Sequence, residues 1–132
     1  NTGAAQTYVA YCFAEKTGFS KFGSYTGNGS SNGPFIYTGF KPAWLMIKRS
    51  SDTGDWYIQD NKRDVDNPVD ISLSANSTNA DNTQSNILDL VGNGFKIRNT
   101  GTGYNASGST YIYMAFAEEP LVASNGTPAT AR

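Results

Sequence analysis

The chain has 132 residues, of which 16% are charged, a net charge of -1 and no histidine. That length suits one domain that buries about two-thirds of its unfolded surface around a single core. Without histidine, neither a Ser-His-Asp nor a Cys-His site can be assembled within the chain. Its basic residues are scattered singly, with no stripe to neutralise phosphates, so nucleic acid is not an expected partner.

The opening NTGAAQ lacks a charged stretch followed by an apolar one. Nine strand-like runs rich in aromatic or branched residues follow: Tyr8 to Ala14, Lys21 to Thr26, Phe35 to Thr38, Ala43 to Arg49, Trp56 to Asp60, Ile71 to Ala75, Ile87 to Val91, Phe95 to Asn99 and Tyr111 to Ala117. Turns rich in Gly and Asn separate them, among them TGNGSSNGP (Thr26 to Pro34), SSDTGD (Ser50 to Asp55) and VGNGF (Val91 to Phe95). Only Asn82 to Val91 has spacing that could make two helical turns, and its apolar residues are bunched. Ala43 to Ile47 (AWLMI) is apolar throughout and predicts a strand covered on both faces, with Trp44 in the core. Asn99 to Ser109 predicts an exposed flexible loop, and the stretch after Glu119, with two prolines, an extended tail. The expected fold is an all-β antiparallel sandwich, jelly-roll-like or lectin-like, with little or no helix. No run nears the roughly 20 apolar residues that span a bilayer, so membrane insertion is not expected. The one cysteine, Cys12, lies in an apolar run and reads as a buried reduced thiol.

One stretch occurs twice. TYVAYCFAE (Thr7 to Glu15) returns as TYIYMAFAE (Thr110 to Glu118) at an offset of 103, each preceded by Asn-Thr-Gly. Both copies are apolar on two faces, and a strand of that kind needs cover. Three explanations are open: neighbouring strands of one sandwich, a tandem module boundary, or a strand donated to a neighbouring subunit. In each, Thr7, Tyr8, Tyr11, Phe13, Tyr111, Tyr113 and Phe116 are the assembly residues, and Thr7 to Phe13 should pack on an apolar face.

Carboxylates are the remaining route to catalysis. Asp52, Asp55, Asp64 and Asp66 lie in polar turns beside Lys62 and Arg63, where solvated loop charge accounts for them. No enzyme activity, metal site or cofactor is expected, and DNKRDVDNP lacks the EF-hand pattern. The more suggestive group is Trp56, Tyr57, Asp60 and Arg63: a ring that stacks on a pyranose beside groups that bond its hydroxyls. Against it, strand alternation would bury Trp56 and Ile58 and turn Tyr57 and Gln59 outward. Tyr25, Tyr37 and Tyr104, next to Gly or Asn, are further exposed candidates. Asn28, Asn76, Asn105 and Asn125 match the glycosylation acceptor pattern.

GSYTGNGSSNGPFIYTGFKPAWLMIKR (Gly23 to Arg49), DWYIQDNKR (Asp55 to Arg63) and the closing stretch from Asn93 resemble a domain of unknown function found in virion proteins of tailed bacteriophages, especially marine and cyanobacterial ones. The resemblance implies a structural and adhesion module of a tail fibre or surface appendage, on the surface of the particle. Its partners would be copies of itself or other virion proteins, and it would act by multivalent contact. It also implies that residues 1–15 are the closing strand of a preceding module, where the residues alone allow an exchanged or first strand as well; 16–119 are then the sandwich module and 120–132 an extended tail. The alternative is a carbohydrate-binding module for host surface glycan.

Overall fold

A computed structural model describes residues 7–118. Eight strands form among them: β1 (Ser20–Thr26), β2 (Phe35–Tyr37), β3 (Pro42–Arg49), β4 (Trp56–Asp60), β5 (Val69–Ser74), β6 (Asn82–Val91), β7 (Gly94–Ile97) and β8 (Thr110–Ala117). They make one hydrogen-bonded sequence, β1-β8-β3-β4-β5-β6-β7-β2, antiparallel throughout. The described residues contain no helix, and none of them forms a helix long and apolar enough to cross a membrane. The sheet coils until it is nearly closed, so strands from both its ends share one core. Tyr25 of β1 packs edge-on to Phe95 of β7 at 6.2 Å, and Phe95 meets Tyr113 of β8 at 5.2 Å. Leu45, Ile47, Ile87, Leu88, Ile97 and Ala115 fill the space between.

Period-2 alternation explains most of these strands. Asn82–Val91 departs from it, with Ile87 and Leu88 consecutive and both fully buried. The cause is a bulge. Val69 pairs with Leu88 but Ile71 with Thr83, and Asn86 between them takes a φ of 56°, its N–H donating to Asp70 Oδ1. One extra loop of backbone puts neighbouring side chains on the same side, which is why the apolar residues looked bunched.

The stretch Asn99 to Ser109, expected to be exposed, is exposed at Thr100 to Thr102 and at Ser107 and Gly108, but its middle is built into one end of the core. Tyr104 and Asn105 are buried. Asn105 Nδ2 lies 3.0 Å from Asn28 Oδ1, 2.7 Å from the Ser30 carbonyl and 3.0 Å from the Asn99 carbonyl, while its Oδ1 accepts the Asn28 N–H at 2.9 Å. Three tyrosines complete the joint. Tyr25 donates to the Tyr104 carbonyl, Tyr111 donates to the Thr102 carbonyl and accepts the Ala106 N–H, and Gln59 Nε2 donates to the Tyr104 hydroxyl. Gly27 permits the approach, because a Cβ there would meet the Ala106 carbonyl oxygen at 2.4 Å. The acceptor pattern at Asn105 is therefore out of reach in the folded chain.

The first copy of the repeat is not a strand here. Thr7 to Glu15 takes no place in the sheet, and β8 lies between β1 and β3, so the two copies are not neighbouring strands. Phe13 packs 5.8 Å from Phe116 and 6.3 Å from Phe22, whereas Tyr8, Val9 and Tyr11 are 70%, 77% and 83% exposed. Cys12 is exposed, not buried, because its segment joins no sheet. The tail expected after Glu119 and the acceptor pattern at Asn125 lie outside the described residues.

Replacing Asn105 by Ala strands the Asn28 N–H and the Ser30 and Asn99 carbonyls. These groups are partly solvated, so the loss should be about 1 to 2 kcal/mol, read by urea unfolding. Burial raises the pKa of Tyr25 and Tyr104 well above the ordinary tyrosine value. The folded chain thus holds these protons more tightly than the unfolded one, and their contribution is complete below the ordinary tyrosine pKa. The melting temperature should fall as pH rises past about 10, with the last tyrosinate absorbance appearing only on unfolding.

Candidate functional site

The register between strands places three rows of side chains on the outer face of β1-β8-β3-β4. The first is Ser20, Phe116, Trp44 and Asp60; the second Phe22, Met114, Met46 and Ile58, continued by Leu73 on β5; the third Ser24, Ile112, Lys48 and Trp56. The rows between them point to the core: Ala115, Leu45 and Gln59, then Gly23, Tyr113, Ile47 and Tyr57. One face of this half of the sheet is thus closed by the core. The other is apolar and open.

Aromatic rings crowd one end of the outer face. Phe116 is the hub, with edge-on contacts to Phe13, Phe19 and Phe22 at 5.8 to 5.9 Å and a tilted contact to Trp44 at 5.7 Å. Beyond this cluster lies a groove of about 340 Å³ lined by Phe22, Gly23, Met46, Trp56, Ile112, Tyr113 and Met114. Trp56 is 37% exposed and Ile112 40%.

The four residues expected to bind glycan do not converge. Trp56 is on the groove, but Tyr57 turns to the core, its ring 4.8 Å from that of Tyr104. Alternation therefore runs opposite to the core expectation: Tyr57 and Gln59 face in, Trp56 and Ile58 out. Asp60 shares the face of Trp56 but lies four residues along, about 13 Å away. Its carboxylate is engaged locally: Oδ1 accepts the N–H groups of Arg63 and Lys62, and Oδ2 the Arg63 guanidinium at 3.2 Å. Burial opposes the charge on Asp60, but these donors outweigh it and hold its pKa below the ordinary carboxylate value. Arg63 also reaches Asp81 at 3.2 Å. Asp60 and Arg63 are thus a staple for the turn after β4. No group of three or more metal-ligating side chains forms among the described residues.

Trp44 is half-buried on the outer face and not a core residue, so β3 is covered by the core on one side only. Tyr25 and Tyr104 are core residues, and Tyr37, 65% exposed, is the one of the three placed as expected. Among the assembly residues, Tyr111 and Tyr113 point inward, Phe116 outward, and Thr7, Tyr8 and Tyr11 lie exposed beside the sheet. Sequence reasoning did not single out Phe22, Met46, Ile112 and Met114. The available signal was the alternation of TYIYMAFA, which separates Ile112, Met114 and Phe116 from the tyrosines.

With this geometry established, the family profile "Domain of unknown function (DUF7483)" matches residues 1–120. The chain belongs to this family. The match includes both copies of the repeat, so the family's domain takes in the exposed first copy together with β8. No curated protein and no solved structure matches the chain.

Truncation should separate the two neighbours on β4. Tyr57→Ala, which empties a place in the core, should cost about 3 kcal/mol, whereas Trp56→Ala on the open face should cost about 1 kcal/mol or less. Denaturant midpoints of the two variants at equal slope provide the comparison.

Proposed function

We propose that this domain is a structural and adhesion module of a bacteriophage virion protein, in a tail fibre or surface appendage, which works by assembly and multivalent contact with the host surface. The observation that carries the proposal is the outer face. Phe22, Trp44, Met46, Trp56, Ile58, Ile112, Met114 and Phe116 form a largely apolar surface across four strands, with Lys48 set between Ile112 and Trp56. A surface of that breadth is a mark of protein association. The origin in a virion, and the placing of the chain on the particle surface, rest on the sequence resemblance. A sandwich in which another layer covers this face accords with the same surface, since two sheets pack about 10 Å apart through such side chains.

A carbohydrate-binding role is the second reading, and the exposed ring of Trp56 beside the groove favours it. The groove is lined almost wholly by apolar groups, and Asp60 and Arg63 bond each other, so the hydroxyl-binding partners a sugar needs are scarce. Assembly makes fuller use of the face.

Sedimentation equilibrium of the full chain tests the proposal. Self-association is expected for the wild type, with loss in Ile112→Ser/Met114→Ser while circular dichroism shows the variant still folded. A monomeric wild type would count against it.

A further inference from the structure

Two apolar features of the same chain stand exposed: the groove between Phe22 and Trp56, and Val9 and Tyr11 within the segment Thr7–Cys12. We propose that they match each other between copies, so that Thr7–Cys12 of one molecule lies in the groove of a second. This rests on the assembly reading above and adds the occupant of the outer face.

The segment has the side-chain pattern of β8. At the repeat offset, Val9, Tyr11 and Phe13 stand where Ile112, Met114 and Phe116 stand, all three of which face outward. Phe13 already rests on this face, against Phe22 and Phe116. Phe22 belongs both to that contact and to the groove lining. The groove is therefore continuous with an interface formed between this segment and this sheet. Val9 and Tyr11, on the same side of the segment as Phe13, are its next apolar groups and are the ones left exposed.

The segment is kept from its own β1 by register. Lys16 pairs with Ser20 in an isolated antiparallel bridge. Extended, that pairing would set Phe13 opposite Gly23 and Tyr11 opposite Tyr25, and opposed residues share a face. Gly23 and Tyr25 are on the inner side, where Tyr113 stands against Gly23 and Tyr25 is itself buried. A hairpin in that register would drive two large rings into a filled core. The chain leaves the register instead. The Glu15 carboxylate accepts the Phe22 N–H at 3.1 Å and pairs with Lys21 at 2.9 Å, and Phe13 crosses to the outer face. Before Phe13, Val9 and Tyr11 are exposed, within reach of a neighbour. Because strip and groove are different patches of one chain, two copies can satisfy each other by reciprocal exchange, and a longer series can form head to tail.

Two measurements on the full chain decide the matter. In sedimentation equilibrium, Val9→Ser/Tyr11→Ser should weaken association at least about tenfold, a loss of about 1.4 kcal/mol, with the melting temperature unchanged at dilutions where the chain is monomeric, because both residues are exposed there. If association persists at wild-type strength in that variant but is lost in Ile112→Ser/Met114→Ser, the outer face assembles through another occupant and this inference falls while the assembly reading stands. A monomeric wild type would overturn both. In the second measurement, wild-type chain, with its single Cys12, is mixed with a Cys12→Ser/Ser24→Cys variant under mild oxidation. Ser24 pairs with Ile112 at the groove's edge, so a mixed disulfide dimer is expected. Its absence would show that the groove does not receive a neighbour's segment.

Discussion

β8, the last strand among the described residues, lies between β1 and β3, and the sheet depends on its strict alternation. Tyr111, Tyr113 and Ala115 enter the core, while Ile112, Met114 and Phe116 form the spine of the outer face. A slip of one residue would exchange the two sets, putting tyrosines in water and flexible apolar side chains where Tyr25, Phe95 and Ala106 require rings and hydroxyls. The register is pinned from outside the ladder as well. The Tyr111 hydroxyl bonds two backbone groups of the preceding loop, and Tyr113 occupies the space left by Gly23. Long-range pairing of this kind, with β1 and β3 both waiting for a strand made last, gives the fold a high contact order.

The polar joint at one end of the core has the complementary role. Buried amides and hydroxyls are stabilising only when every partner is present. Asn105 meets this condition by joining the loop after β1 to the loop before β8. A segment with the composition of a mobile loop thereby buries Tyr104 and Asn105 completely. The other end of the same half-sheet is organised by rings and not by hydrogen bonds, around Phe116. The open outer face runs away from that cluster, so its position follows from where β8 puts its outward side chains.

The repeat acquires a definite physical content in this setting. The second copy fills the one central position that the sheet offers to such a strand, and the first copy, of nearly the same sequence, stays outside it. Neither place beside β1 receives it among the described residues: β8 occupies the one toward β3, and the hairpin register on the other side presents the wrong face. The same residues are thus a core strand in one place and an exposed strip in the other, and the difference lies entirely in what stands beside them.

Strand content was legible in the sequence because alternation and turn residues are local properties. Eight of the nine expected runs are strands, within a few residues of their expected bounds, and the nine residues of the repeat were visible without any coordinates. What alternation cannot supply is its sign. TYVAYCFAE and WYIQD each have two faces, and nothing within either says which one meets the core; the neighbouring strands decided that Tyr57 goes in and Trp56 out. Nor can local composition register a contact across 77 residues such as that of Asn28 with Asn105. The sequence by itself determined that this is a β protein with a duplicated apolar strand and no histidine chemistry. The tertiary structure alone decided which copy is buried, which face is open and which asparagine holds the loops, because burial depends on partners distant in the chain.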